Sequence, residues 1–585
     1  MPFHSRAART CAALVLAVVA ALAAGCGSRQ DSPAADTAAS AERPSQAWPA
    51  FVDEFVAGYF EANPPFAVSA GRHEFDGRLP DFRPEAIRGE IARLHALRGR
   101  ALAYTDAQLD ERQRVERDYL VARIDNDLFW TEIAKLHEGN PSFYLGPLDP
   151  SVYVTREYAP LDVRARAFTK YLRSVAAAVP QIRANFAAPL PKPYIKVGVA
   201  GFGGLADFYR RDVPAAFAAV QDPQVQAELQ AAIEPAAKAL AEFAAWLQAQ
   251  EPTAIDAQPL GAERYAQMLQ MTEGLDVPVA QVEAAGRADL ERNLALLKEA
   301  CAQFAPGASV EACVKRMKAN KPKGGAVPAA REQLKELRAF VAAQDLVTIP
   351  GTEEALVEQA PPFKAQNFAF IEIPGPYEKN LPSIYYISPP DPSWSKAEQA
   401  DYVPGTWDLM STSAHEVWPG HFLQFLHSNR AQSQIGRLFV GYAYAEGWAH
   451  YVEEMMFEKG WQAGNPEARI GQLSKALLRN VRLLSSIGIH TKGMTVAASE
   501  QMFRELAYQD AGNARQQAAR GAYDPAYLNY TLGKLMIRKL RDDWAATRGG
   551  PAAWKQFHDA FLSYGGPPIP LVRRAMLGAN AGPAL

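Results

Sequence analysis

His415-Glu416-Val417-Trp418-Pro419-Gly420-His421 is followed, 25 residues later, by Glu446-Gly447-Trp448-Ala449-His450-Tyr451. Two histidines, a glutamate beside the first and a later glutamate are the parts of a hydrolytic zinc site, which needs three protein ligands and one open position for water. The common zinc-binding helix motif places its histidines four residues apart on one face. Here they are six apart. On a straight α-helix that spacing rotates them by about 600°, leaving them about 120° from each other. Pro419 forbids a straight helix, because it lacks an N–H and its ring strikes the carbonyl of His415, four residues back. Gly420 accepts nearly any backbone torsion. The spacing therefore predicts a helix kinked or bulged between Trp418 and His421, with both imidazoles converging on one point.

Ala443 to Lys459 reads as a second helix, with Glu446, His450, Glu453 and Phe457 on one face. Glu446 is the candidate third ligand. His450 and Glu453 are expected to hold the ligands in place through hydrogen bonds. The bland alternative is an amphipathic helix whose acids face water. Glu416, next to a ligand histidine, is placed to take a proton from water, help worth about a hundred- to ten-thousand-fold. Zinc contributes by lowering the pKa of water from 15.7 to about 7. One zinc ion is the expected cofactor.

From Trp48 to Leu346 the pattern is helical. Val115, Leu120, Ile124 and Leu128 form one apolar stripe; Ile233, Ala237, Leu240 and Phe243 form another; Val279, Val282, Gly286, Leu290, Leu294 and Leu297 form a third. Asn140-Pro141, Leu145-Gly146-Pro147 and Gly201 to Gly204 read as loops. Between Pro361 and Pro404, prolines and aromatics crowd together. Phe368–Ile373 and Ile384–Ile387 read as short strands, which the flanking prolines confine to edges or a ribbon. Zinc peptidases commonly bind substrate backbone along such an edge, which makes Tyr385 and Tyr386 candidate substrate-binding residues. Helix resumes near Asp408. The expected fold is mainly α and two-lobed, with a helical scaffold over 48–350, a small β ribbon, and a zinc-binding lobe over 351–585.

Arg6 and Arg9 precede an apolar run from Ala12 to Ala24, too short for the roughly 20 residues of a membrane span and shaped like a signal peptide over 1–25. Leu22-Ala23-Ala24-Gly25-Cys26 resembles a bacterial lipobox, with Ala23 where leucine is usual. Cys26 is thus the expected lipidation site, attaching the protein to a membrane through a tether over 26–47. Gly27 rather than aspartate after it fits outer-membrane sorting, facing the periplasm. Cys301 and Cys313 are left outside the leader, in a compartment where disulfides persist, and are expected to pair. The formal net charge of −3 lacks the basic excess of a nucleic-acid binder.

His-Glu-x-x-Pro-Gly-His followed by Glu-Gly-Trp-Ala-His-Tyr resembles the bacterial family catalogued as domain of unknown function 885, grouped with gluzincin-type zinc peptidases. The likeness runs from about Trp48 to Arg574, as one continuous domain to about 575. It includes Pro259 to Tyr265, Gly488 to Gly493 and Tyr530 to Lys534. The resemblance implies His415, His421 and Glu446 as ligands and Glu416 as the base. Phe422 stands where many relatives carry another histidine, and Ser486 where many carry an acid. An oxyanion donor is also required, and its loss typically costs about a hundredfold or more; Tyr530 and His490, each in a shared motif, are the candidates. Arg482 offers a planar fork for a substrate carboxylate. His427 and His558 lack partners at ligand spacing and are expected at the surface.

These readings converge on a zinc peptidase acting on peptides, with short ones favoured by analogy to other deep helical clefts. The alternatives are a zinc amidase acting on cell-wall or other non-peptide amides, and a non-catalytic lipoprotein that binds peptide or metal. A serine hydrolase is disfavoured by the absence of a Gly-x-Ser-x-Gly elbow, and a di-iron bundle by the four-residue spacing from Glu446 to His450.

Overall fold

A computed structural model describes residues 46–361, 364, 368–390 and 395–585. The leader, Cys26 and the tether up to residue 45 lie outside the described residues. Helix accounts for 69% of the described residues and strand for 3%, the mainly helical fold that the apolar periodicity predicts. Among the described residues no helix is long and apolar enough to cross a membrane.

The described residues fall in one compact unit with two hydrophobic clusters. The first is built by the helices Trp48–Ala62, Glu111–Leu128, Leu161–Asn185, Lys192–Arg211 and Pro223–Gln248. Trp48, Phe51, Phe55 and Tyr59 fall on one stripe of the opening helix and are buried together, as a 3.6-residue period requires. Gly201 to Gly204 lie inside the Lys192–Arg211 helix and are not the expected loop. A Cβ on Gly201 would fall 2.6 Å from the Leu145 side chain, so that glycine permits close packing.

The second cluster is built by Phe129 and by residues from Tyr265 onward, while Ile435, Leu438, Phe439 and Leu571 pack into the first. The helix Val279–Phe304 (α1) packs along the helix Pro466–Lys492 (α5). Its stripe Val282, Gly286, Leu290 and Leu297 is buried there. Between them in sequence come Thr406–Glu416 (α2), His421–Ser428 (α3) and Tyr442–Glu458 (α4). Ala511–Tyr523 (α6) and Asn529–Ala546 (α7) follow, and α7 packs against α4.

The expected ribbon is a three-stranded sheet of order β1-β3-β2, made of Ala355–Gln359 (β1), Ala369–Glu372 (β2) and Ser383–Ile387 (β3). The sequence reading missed β1. It pairs parallel with β3, while β2 pairs antiparallel with it. Central β3 is thus no edge strand; Pro382 and Pro389 fall just outside its paired residues, so they do not interrupt the ladder. The scaffold grips the loop that leads from β2 into β3. Tyr377 N–H donates to the Ala70 carbonyl at 2.9 Å. His73 Nε2 lies 3.2 Å from Glu378 Oε1 and its Nδ1 3.0 Å from Asp76 Oδ1, with the ring stacked on Tyr158.

Burial disfavours the His73 charge, but the hydrogen bonds to Asp76 and Glu378 outweigh it and push its pKa up to about 9. A histidine with a raised folded-state pKa stabilises fully below its unfolded value of about 6.5 and loses that contribution as pH rises through the folded value. Urea unfolding of the wild type and His73→Gln should therefore show a stability difference that is largest below pH 6.5 and shrinks toward pH 9; a constant difference would remove the role of this charge.

Cys301 and Cys313 are joined, with Cα atoms 5.8 Å apart and 12 residues of separation, a span typical of disulfides. A loop of this size constrains the unfolded chain by roughly 3 kcal/mol. The Cys301→Ser, Cys313→Ser double variant should lose about that much unfolding free energy in denaturant titrations, and reductant should lower the wild type alone.

Candidate metal centre

The chain breaks where the spacing predicts. Helix α2 ends at Glu416, Val417 leaves helical torsions, and α3 starts at His421. A Cβ on Gly420 would stand 1.8 Å from the His415 carbonyl oxygen, so no other residue fits without moving the backbone. Trp448 of the second motif pins the break by donating its indole N–H to the Pro419 carbonyl at 2.9 Å. On the next helix pair, a Cβ on Gly447 would fall 2.5 Å from the backbone of Gly533. This close crossing brings Glu446 of α4 beside Tyr530 of α7.

The two imidazoles meet edge-on, at 81° to each other with ring centroids 4.7 Å apart. Glu446 Oε2 lies 3.2 Å from His415 Nε2 and 3.5 Å from His421 Nε2. One atom from each residue lies within 4.8 Å of the others. Ligand atoms about 2.1 Å from a tetrahedral zinc are about 3.4 Å from one another, so the donor set and its size fit that ion. Oε2 of Glu446 is buried without a hydrogen bond, as an atom facing a cation would be. Burial opposes ionisation of Glu446, but the facing His421 and His415 hold its carboxyl well below the usual range.

Behind His415 stands a chain of charge. Its Nδ1–H donates to Glu453 Oε1 at 2.8 Å. Arg479 of α5 donates to Glu453 Oε2 at 3.0 Å, and its second terminal nitrogen lies 2.9 Å from Glu453 Oε1 and 3.0 Å from His415 Nδ1. An Nδ1–H donated to Glu453 leaves the Nε2 lone pair toward Glu446. His450 does not share the task expected of it. It is fully buried 4.0 Å from Glu453 Oε2, with neither ring nitrogen hydrogen-bonded among the described residues. Burial, reinforced by Lys534 and Arg479, keeps it neutral.

Glu416 is the last residue of α2 and is partly open to solvent. Burial is the main cause that pushes its pKa up to about 7; Glu446 and Glu453 add to this, while His421 and Arg479 oppose it. A group poised there can take and return a proton near neutrality. Tyr530 lies beside the ligands, its ring 6.4 Å from that of His415. Burial and then the Glu446 charge push its pKa up to about 12, so its hydroxyl keeps its proton and can donate. Arg482 lies over Tyr530 with its guanidinium carbon 4.6 Å from the ring centre.

Other expected site residues are elsewhere. His490 is buried, with Nε2–H donating to the Gly521 carbonyl at 2.9 Å and Nδ1 accepting the Leu260 N–H at 3.3 Å. Both nitrogens are committed to backbone, so it ties α6 and the segment at Leu260 to α5 and offers nothing to a substrate. Ser486, where relatives carry an acid, bonds the Pro525 carbonyl and the Tyr265 hydroxyl. Tyr385 is buried in central β3, and burial, with Glu416 adding, pushes its hydroxyl pKa up. Tyr386 is buried against Phe370. Because β3 is paired on both sides, neither tyrosine can present backbone to a substrate. His558 is fully buried, not at the surface, bonding the Leu346 carbonyl and the Tyr451 hydroxyl at 2.7 and 2.8 Å. His427 is half-buried, against the Thr348 carbonyl.

The sequence reading missed Arg479, which lies one helical turn before Arg482; the shared face was the available signal. It also missed Tyr442, whose ring stands 5.8 Å from Tyr530 and whose hydroxyl accepts from Arg520 at 3.1 Å. Below the site, fully buried Lys534 pairs with Asp289 and Glu454, and Arg292 bridges the same two acids.

The profile of a bacterial protein family of unknown function, DUF885, matches residues 64–576. This chain belongs to that family. Among solved structures, a candidate lipoprotein of unknown function from Shewanella oneidensis is 22% identical, with a TM-score of 0.76 over 91% of this chain and 100% of its own. A candidate lipoprotein from Colwellia psychrerythraea is 19% identical, with a TM-score of 0.76 over 90% and 98%. At these identities the likeness establishes the fold that the DUF885 chain shares with them. No protein with a curated description matches the sequence.

Replacing Glu453 with Gln removes the charge that orients His415, which typically weakens metal binding about ten- to a hundredfold. Competition of Glu453→Gln with a chromophoric chelator for zinc should show that loss while circular dichroism stays unchanged. Unaltered affinity would mean that Glu453 does not orient a ligand.

Proposed function

We propose that this DUF885 protein is a zinc metallopeptidase that hydrolyses short peptides. The observation that carries the reading is the convergence of His415, His421 and Glu446, from three separate helices, with one ligand atom of each within 4.8 Å of the others. Glu416 and Tyr530 stand next to that point. Zinc held by these residues would polarise the scissile carbonyl and a water molecule.

The chain supplies the remaining chemistry. Glu416 takes the proton of the attacking water and hands it to the departing amine. Tyr530 donates its hydroxyl proton in a hydrogen bond to the oxygen that gains charge, help worth about a hundredfold or more. Glu453, held by Arg479, keeps His415 in one orientation and tautomer. A protein that merely carried metal would have no use for Glu416. The enzyme works in the cell envelope, tethered by lipid at Cys26 to the outer membrane and facing the periplasm. The Leu22–Cys26 motif supports that location, as does the description of both solved relatives as candidate lipoproteins.

Metal analysis and peptide-library cleavage test the mechanism together. The wild type should hold about one zinc per chain. Glu416→Gln should keep the zinc and lose turnover by about a hundredfold or more. His421→Ala should lose both, and His427→Ala should keep both. Normal cleavage by Glu416→Gln refutes the assigned base, and a wild type without zinc refutes the site.

A further inference from the structure

Arg482 differs from the other arginines around the site. Arg479 pairs with Glu453 and Arg520 with Asp524. Arg482, half-buried on α5, has no carboxylate partner among the described residues. Its guanidinium carbon lies 4.6 Å from the ring centres of both Tyr527 and Tyr530. Its Nε donates to Gln517 Oε1 at 2.9 Å, and the same oxygen accepts the Tyr527 hydroxyl. Two aromatic faces and one amide thus hold the guanidinium flat and in one orientation.

The unused side is the chemical point. With Nε committed to Gln517, the two terminal nitrogens remain as donors, and such a fork matches the two oxygens of a carboxylate. Partial burial between rings makes such a pair stronger than it would be in water, while a desolvated cation without a partner is unfavourable. Its position is equally specific. The Tyr530 ring under Arg482 also lies 6.4 Å from the His415 ring, so an anion on Arg482 sits about one tyrosine ring away from a candidate metal ligand. A peptide advances roughly 3.3–3.6 Å per residue when extended, so such an anion belongs to the first or second residue beyond the bond being cut. One carboxylate is present in that place whatever the sequence: the chain end.

Resting on the peptidase reading above, we propose that Arg482 binds the C-terminal carboxylate of the substrate, so that the enzyme removes one or two residues from the C-terminus of peptides. Water adds across the bond nearest that anchor, leaving a shortened peptide with a new carboxylate and releasing an amino acid or dipeptide with a free amine. Tyr527 and Gln517 act as positioning residues, through Arg482.

The test compares an N-acetylated pentapeptide as its free acid, its C-terminal amide, and an amide carrying Glu at the penultimate position. Each is cleaved by zinc-loaded wild type, Arg482→Met and Arg482→Lys, with products read by mass spectrometry. Loss of one partner of a desolvated ion pair reduces binding by roughly 30-fold or more. The wild type should cut the free acid next to its C-terminus with kcat/KM higher than the amide by about that factor. Arg482→Met should collapse the acid-to-amide ratio toward one, chiefly through KM, and Arg482→Lys should restore part of it. A purely structural Arg482 would instead lower both substrates alike and leave the ratio intact. Calorimetry on Glu416→Gln, which leaves the peptide uncut, should show the same preference for acid over amide in binding, and its loss when Arg482→Met is added. Equal cleavage of acid and amide by the wild type overturns the proposal while leaving the peptidase reading in place. Preference for the Glu-containing amide overturns it in favour of an acidic side chain. Failure to cleave any peptide removes both readings.

Discussion

The His415 carbonyl lies so close to Gly420 that a side chain at residue 420 would overlap it. The rest of the site depends on that contact. Pro419 ends one helix by removing a backbone donor, and Gly420 lets the next begin at once in a new direction. His421 then opens α3 and faces His415. Trp448, from the motif that carries Glu446, closes the arrangement by bonding to the Pro419 carbonyl. The two motifs are thus coupled through backbone as well as through the ligands.

Buried charge keeps the surrounding helices in register. Glu453 and Glu454 are neighbours on α4 and turn to different partners. Glu453 meets His415 and Arg479, whereas Glu454 meets Lys534, Arg292 and Arg538. Asp289 completes the lower network with Lys534, Arg292 and Asn480. The Lys534 and Arg292 charges hold the Glu454 carboxyl down to about 2 despite its burial. Buried ion pairs are poor sources of net stability, because desolvation offsets the attraction. Removing one member, however, strands a charge in the interior, so the network strongly penalises any other arrangement of α1, α4, α5 and α7.

The N-terminal half contributes support. Its contact with the β2–β3 loop through His73, Glu378 and the Ala70 carbonyl sets the position of the sheet. The sheet in turn places Tyr385 beside Glu416. The tyrosines expected to meet substrate therefore serve as packing, and the polar wall of the site comes instead from α5, α6 and α7.

The sequence by itself determined the helical class, a break in the helix ahead of His421 and the three residues whose ligand atoms converge. Each of these follows from local rules: a 3.6-residue period, the backbone limits of Pro and Gly, and a spacing at odds with a straight helix. Tertiary structure alone decided which polar side chains remain available. His490 and Tyr530 share the same standing in sequence, yet His490 is spent on the Gly521 and Leu260 backbone while Tyr530 stands beside His415. Arg479 reaches His415 across 64 residues, and β3 became central because the unread β1 pairs with it. The physical reason is common to all three. A buried polar group must find a partner, and among residues far apart in the chain that partner is set by packing, which local pattern does not encode.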